Sequence, residues 1–232
     1  MTYQKSTLLL LFVILTSCTA GEKKIVPTQT SGLFSVIPVE DQQAFIECGI
    51  NGTLFNDLIK LSYRDFDQDF SGGWRAISEN DGCENTALSL IEYYIIFHKH
   101  TSLNQLKTLR WHAGQLAANI GNYPYAVALF ETNLIADEAA LTDDEWLWQL
   151  YVKGSISFLK RDLNSLQEVR DQLAAIPVSE EEQEARRKFL RDNPSISMPD
   201  GFVESPQNLN VLDRLIECFD SNYEVAYQGD CR

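Results

Sequence analysis

The chain has 232 residues, 44% of them hydrophobic, which is enough for a packed core and fits one folded domain of ordinary size behind an N-terminal leader. Its formal net charge of −14 repels the phosphates of nucleic acids and of anionic lipid head groups, so both are poor partners. Basic or neutral partners are favoured.

The N-terminal segment has the pattern of an export signal. Lys5 precedes an apolar run, Leu8 to Leu15, that is shorter than the ~20 residues needed to span a bilayer. The run ends in Leu15-Thr16-Ser17-Cys18, which resembles the lipobox of bacterial lipoproteins.

This resemblance implies that residues 1–17 are a signal peptide and that Cys18 is acylated to become the mature N-terminus. Thr19 after the cysteine implies sorting to the periplasmic side of the outer membrane. The alternative is an ordinary signal cleaved after Ala20, which would leave a soluble periplasmic protein.

Residues 18–40 are polar and carry Pro27, Gly32 and Pro38, which predicts a flexible lipidated tether. From Asp41 the spacing of apolar residues becomes helical, and it predicts helices over 41–46 and 53–61. A charged helix is predicted to begin at about residue 179 and to end before Asn193-Pro194, and an apolar helical face is predicted over 209–219. Between Asp41 and about residue 190 the sequence has no clear run of alternating polar and apolar residues, which would indicate a strand. We therefore expect an all-α domain over 41–232.

Four cysteines remain once Cys18 is acylated, and an even number in an exported protein predicts two disulfides. Three pairings are possible, of which we favour the sequence-local pairs Cys48–Cys83 and Cys218–Cys231. Metal binding is disfavoured because the chain has no Cys-x-x-Cys motif, and we expect no metal and no cofactor.

A repeat lies within residues 72–177. Small or apolar anchors recur at Ala87, Ala126 and Leu166, at intervals of 39 and 40 residues. The middle unit, with Gly114, Gly121, Tyr123, Ala126 and Phe130, resembles a tetratricopeptide repeat (TPR).

The TPR resemblance implies helical hairpins stacked into an α-α superhelix, with extra helices at both ends. In the middle hairpin we expect Gly114 to face Ala126. An irregular helical bundle with coincidental spacing is the alternative. The C-terminal segment around Cys218 and Cys231 also resembles helical proteins of proteobacteria, which implies no function.

Motifs for catalysis and metal binding are missing from the sequence. There is no nucleophile elbow, no His-Glu-x-x-His and no phosphate loop. The acidic run Asp65 to Gly72 resembles the start of a calcium loop, but Phe70 and Ala76 stand where glycine and a bidentate acid are required. His98 and His100 point to different sides of a helix, which argues against shared ligation.

The TPR register predicts a binding surface instead, since the first helix of each repeat presents fixed positions to the concave face. Thr108, Val152 and Leu159 occupy such positions, in addition to the partner-binding residues named below. Aromatic rings and amides on one surface suit an extended peptide. The predicted partner-binding residues are Trp111, His112, Gln115, Asn119, Trp148, Tyr151 and Ser155. Burial under a neighbouring helix, such as the C-terminal one, is the alternative.

The sequence therefore predicts a lipid-anchored envelope adaptor that holds a protein or peptide partner and does not bind nucleic acid. The alternatives are an envelope hydrolase and a small-ligand carrier, each with a pocket around Trp111 and His112.

Overall fold

The computed structural model describes residues 32–99, 101–193 and 205–231. The predicted signal peptide, the lipobox with Cys18, and His100 lie outside these residues. Within the described ranges the chain is helical and contains no strand, which confirms the all-α prediction. None of the described helices is long and apolar enough to cross a membrane.

The described part of the chain forms α-helices joined by connections of different lengths. Short turns of other types occur at Leu33–Val36 (3₁₀), Arg64–Gln68 (π) and Glu138–Ala140 (3₁₀). The α-helices are α1 (Val39–Glu47), α2 (Gly52–Ile59), α3 (Arg75–Ser78), α4 (Glu84–Phe97), α5 (Leu103–Asn119), α6 (Tyr123–Glu131), α7 (Asp143–Leu159), α8 (Leu163–Ala174), α9 (Glu180–Asp192), α10 (Leu209–Glu217) and α11 (Tyr223–Gln228).

The folded part begins before α1. Phe34, in the first 3₁₀ turn, is buried against Phe45 of α1 and Phe55 of α2, with ring centroids 6.4 and 5.3 Å away. Ile37 is buried as well. Phe34 and Ile37, which lie in the segment 18–40 predicted to be a flexible tether, therefore pack with the helical domain, and Phe34 completes an aromatic cluster there.

Two disulfides join the cysteines as the sequence analysis favoured. Cys48 after α1 is bonded to Cys83 before α4, and Cys218 after α10 is bonded to Cys231. The Cα–Cα distances are 5.8 and 5.5 Å, within the range of protein disulfides. Two such bonds are typical of proteins in an oxidising compartment.

Two long hairpins form the centre of the domain: α5 with α6, and α7 with α8. Each long helix begins with a capping box that satisfies free N–H groups of its first turn: Ser102 with Gln105 in α5, and Thr142 with Glu145 in α7. The connections within the hairpins are only a few residues, so paired helices lie side by side.

Close packing in the first hairpin depends on Gly114. A Cβ at this position would lie 2.5 Å from Cε1 of Phe130, so a larger residue would collide with that ring. The side chain of α6 nearest to Gly114 is therefore Phe130, one turn beyond the predicted Ala126. Ala126 is fully buried, whereas Ala128 on the same helix is exposed.

The glycine of the second hairpin, Gly154, packs against α10, a helix outside the hairpin. A Cβ at Gly154 would lie 2.6 Å from Cδ2 of Leu212, so α7 approaches α10 closely at this point. The chain then turns back through α11, whose Tyr223 is buried and donates its backbone N–H to the Tyr123 hydroxyl over 3.1 Å. The C-terminal helix thus packs over the repeat helices, against α5.

Candidate functional site

The predicted binding surface is largely closed. Trp111 is 4% exposed, and its ring stacks on Phe130 with the centroids 4.3 Å apart. Tyr151 and Ser155 of α7 are 2% and 0% exposed. The open face expected at these three positions is not present, because their side chains fill the space between helices.

The C-terminal helix α11 covers the part of this surface around Tyr151. The Tyr151 hydroxyl donates a hydrogen bond to that of Tyr227 in α11 over 3.3 Å. Burial, together with the neighbouring tyrosines, raises the pKa of Tyr151 far above its ordinary value. Gln115 is partly buried, and Asn119, although exposed, lines a separate hollow beside Glu224 of α11. The alternative reading, burial beneath the C-terminal helix, therefore describes this part of the surface.

His112 lies in a different environment from the other predicted residues. Its Nδ1 is 2.7 Å from Oδ1 of Asp67, a fully buried carboxylate in the π turn before α3. The same oxygen accepts a hydrogen bond from Trp74 Nε1 over 2.9 Å. Nε2 of His112 is 3.5 Å from the Arg75 guanidinium, so the arrangement fits a proton on Nδ1 and an acceptor at Nε2.

Burial and hydrogen bonding have opposite effects on the pKa of Asp67 in this cluster. Burial alone would raise the pKa of Asp67, but donors from His112, Trp74 and Gln68 hold it below the ordinary carboxyl value. Arg75 stacks on the Trp74 ring, 4.2 Å from its centroid, and donates to the Asp67 carbonyl. Burial lowers the pKa of the Arg75 guanidinium.

This cluster ties two distant segments together. An aspartate–histidine pair is also found in hydrolases, where the second imidazole nitrogen acts as a base on a nucleophile. Here Nε2 of His112 faces the Arg75 guanidinium instead of a nucleophile. The geometry therefore supports a structural role for Asp67 and His112, which hold the π turn and α3 against α5.

Part of the predicted surface is open around Trp148. Trp148 is partly buried, and its ring packs against the buried Trp111 with the centroids 4.8 Å apart. Beyond it a cavity of about 280 Å³ lies between the start of α5 and the start of α7. Its walls include Lys107, Thr108, Asn133, Asp144, Glu145 and Trp148.

A second cavity of about 420 Å³ lies beside the first. Asp144 and Trp148 line both, and the far wall of the second is formed by Glu181 and Ala185 of α9. Together they make one surface, called here the Trp148 groove, that extends from Lys107 to Ala185.

Some polar groups in the groove have hydrogen-bond partners within the protein, and one buried oxygen has none. Glu145 accepts hydrogen bonds from Thr142, and these lower the pKa of its carboxyl. Asn133 is 2% exposed, and its buried Oδ1 has no hydrogen-bond partner. An unpaired buried amide oxygen is costly, so a donor that reached this atom would stabilise the site.

Sequence reasoning identified Trp148 and Thr108 in this groove but missed Asn133 and Asp144. Asn133 follows α6, outside the repeat register, and only its burial reveals it. Asp144 resembles any acid in the first turn of a helix.

No protein-family model, curated protein or solved structure matches the chain. In the described ranges, no three His, Cys, Asp or Glu residues come together in a way that could hold a metal ion.

Proposed function

We propose that this protein is a lipid-anchored adaptor of the bacterial envelope, which holds a protein or peptide partner in the Trp148 groove. The observation that carries the proposal is the groove itself, with a partly exposed indole at its centre and polar side chains on both sides. Aromatic rings beside polar groups are typical of the energetic centres of protein interfaces.

The helical architecture supports the same function. The α5–α6 and α7–α8 hairpins have short internal turns, and Gly114 lies where α5 approaches α6, so each hairpin resembles a TPR unit; superhelices of such units present extended binding surfaces. The lipobox resemblance at Cys18 and the two disulfides support export and attachment to the membrane.

Site-specific photo-crosslinking in the exported protein tests this proposal. A photoreactive phenylalanine analogue replaces Thr108 or Ala185 in the groove, and in a matched control it replaces the exposed Ala128 on α6. We expect adducts of the same mass at Thr108 and Ala185 and none at Ala128. No adduct at the groove positions, or the same adducts at Ala128, would contradict the assignment of the groove.

A further inference from the structure

The charges around the Trp148 groove are unequal. Three carboxylates line its two cavities, those of Asp144, Glu145 and Glu181. Among the described residues that line them, Lys107 is the one cation. Neutral peptides would gain nothing from this arrangement. A ligand that carries positive charge would be attracted, and the net charge of −14 adds to the effect at longer range.

The indole supplies a second reason for a cationic ligand. Trp148 is held from below by Trp111, at 4.8 Å between ring centroids and 65° between ring planes. A fixed tryptophan face attracts lysine and arginine groups through its quadrupole. Asp144, which is exposed, lines the same cavity, so its carboxylate and the Trp148 ring would both attract a cationic group that enters it.

Asn133 supplies a third, independent reason. It lines the cavity nearer to α5, and its Oδ1 is buried without a donor. An ammonium or guanidinium group has only donors, so both this oxygen and the carboxylates are suitable acceptors for it.

We propose that the Trp148 groove recognises a lysine or arginine side chain of an extended basic peptide. This inference rests on the proposed function, since it specifies the chemistry of the partner for the same groove. Asp144 and Trp148 select the cation, Asn133 accepts a hydrogen bond from it, and Lys107 opposes it. Removing Lys107 therefore strengthens binding.

The test is calorimetric titration of the mature chain with a twelve-residue peptide of alternating lysine and alanine. The comparison peptide has every lysine Nζ-acetylated, which keeps the length and removes the charge. We expect the lysine peptide to bind about tenfold more tightly, and its affinity to fall as salt is raised.

Matched variants locate the binding. Asp144→Asn should weaken binding of the lysine peptide about threefold or more, whereas Asp143→Asn, an equal charge change in the same helical turn outside the groove, should leave it within about twofold. Trp148→Leu should weaken binding, Trp146→Leu should not, and Lys107→Met should strengthen it. Circular dichroism checks that each variant keeps its helical content.

The outcomes separate this inference from the proposed function. If the acetylated peptide binds as tightly as the lysine peptide, the cation preference is overturned. If that binding is lost with Trp148→Leu, the groove remains the binding site. Equal weakening by Asp143→Asn and Asp144→Asn shows diffuse charge attraction and also overturns the cation preference. If neither peptide binds, the cation inference fails, and the crosslinks at Thr108 and Ala185 decide the proposed function separately.

Discussion

Replacement of Asp67 should destabilise the domain, because this carboxylate joins the π turn to α5. Asp67→Ala would leave the N–H groups of Trp74 Nε1 and His112 Nδ1 without their acceptor, 2.9 and 2.7 Å away in the wild type. Each buried donor without a partner costs about 1–3 kcal/mol, so we expect a loss of about 4 kcal/mol in the free energy of unfolding.

Asp67→Asn keeps an oxygen for both donors but removes the charge. Hydrogen bonds to a charged acceptor are about twice as strong as those to a neutral one, so this variant should lose only about 1–2 kcal/mol. Asp65→Asn is the matched control, because Asp65 is exposed and its hydrogen bonds are to nearby Ser62. It should change the unfolding free energy by less than about 1 kcal/mol.

Urea unfolding followed by far-UV circular dichroism measures all three variants at pH 7. The same experiment at lower pH tests the charge. Since the pKa of Asp67 is depressed in the folded state, its ionised form contributes stability above the unfolded carboxyl pKa of about 4. That contribution is lost as the pH falls through the folded pKa, so the difference between wild type and Asp67→Asn should shrink below about pH 4. Equal costs for Asp67→Ala and Asp65→Asn would refute the reasoning.

Three further predictions concern packing, disulfides and anchoring. Ala126→Leu should cost about 1–3 kcal/mol of stability by overpacking a fully buried site, whereas Ala128→Leu on the exposed face should cost less than about 0.5 kcal/mol; equal urea midpoints would contradict the α6 packing. Replacing both cysteines of a pair by serine should lower the free energy of unfolding, by about 4 kcal/mol for Cys48–Cys83, separated by 35 residues, and by about 3 kcal/mol for Cys218–Cys231, separated by 13. Peptide mass mapping that found other pairings would exclude this account. Cys18→Ala should release the protein from the membrane fraction or leave its signal uncleaved, and retention with normal processing would exclude acylation at this residue.

Local features of the fold were predictable from the sequence. The spacing of Leu209, Leu212 and Leu215 predicts the apolar face of α10, and all three are buried. Periodic spacing and capping chemistry act within a few residues, so a single sequence contains the information. The disulfide pairs followed from the preference for cysteines that are near in sequence.

Contacts between distant segments were not predictable in the same way. The repeat register places Trp111 and Tyr151 on one side of their helices, but it does not show that Phe130 packs against Trp111 or that residues 223–228 fold back beside Tyr151. Asp67 and His112 are 45 residues apart, and no spacing rule joins them. The acidic run containing Asp67 resembles the start of a calcium loop in sequence, yet its buried aspartate is hydrogen-bonded to a histidine.

The most direct test of the Trp148 groove uses the indole signals of the four tryptophans in a ¹⁵N-labelled chain. Trp148→Phe assigns the signal of Trp148, and Trp74, beside His112, serves as the internal comparison. On titration with the lysine–alanine peptide, the account predicts that the Trp148 indole signal shifts to a saturating limit while that of Trp74 stays in place. An unmoved Trp148 signal, or a shift at Trp74 instead, would contradict the account.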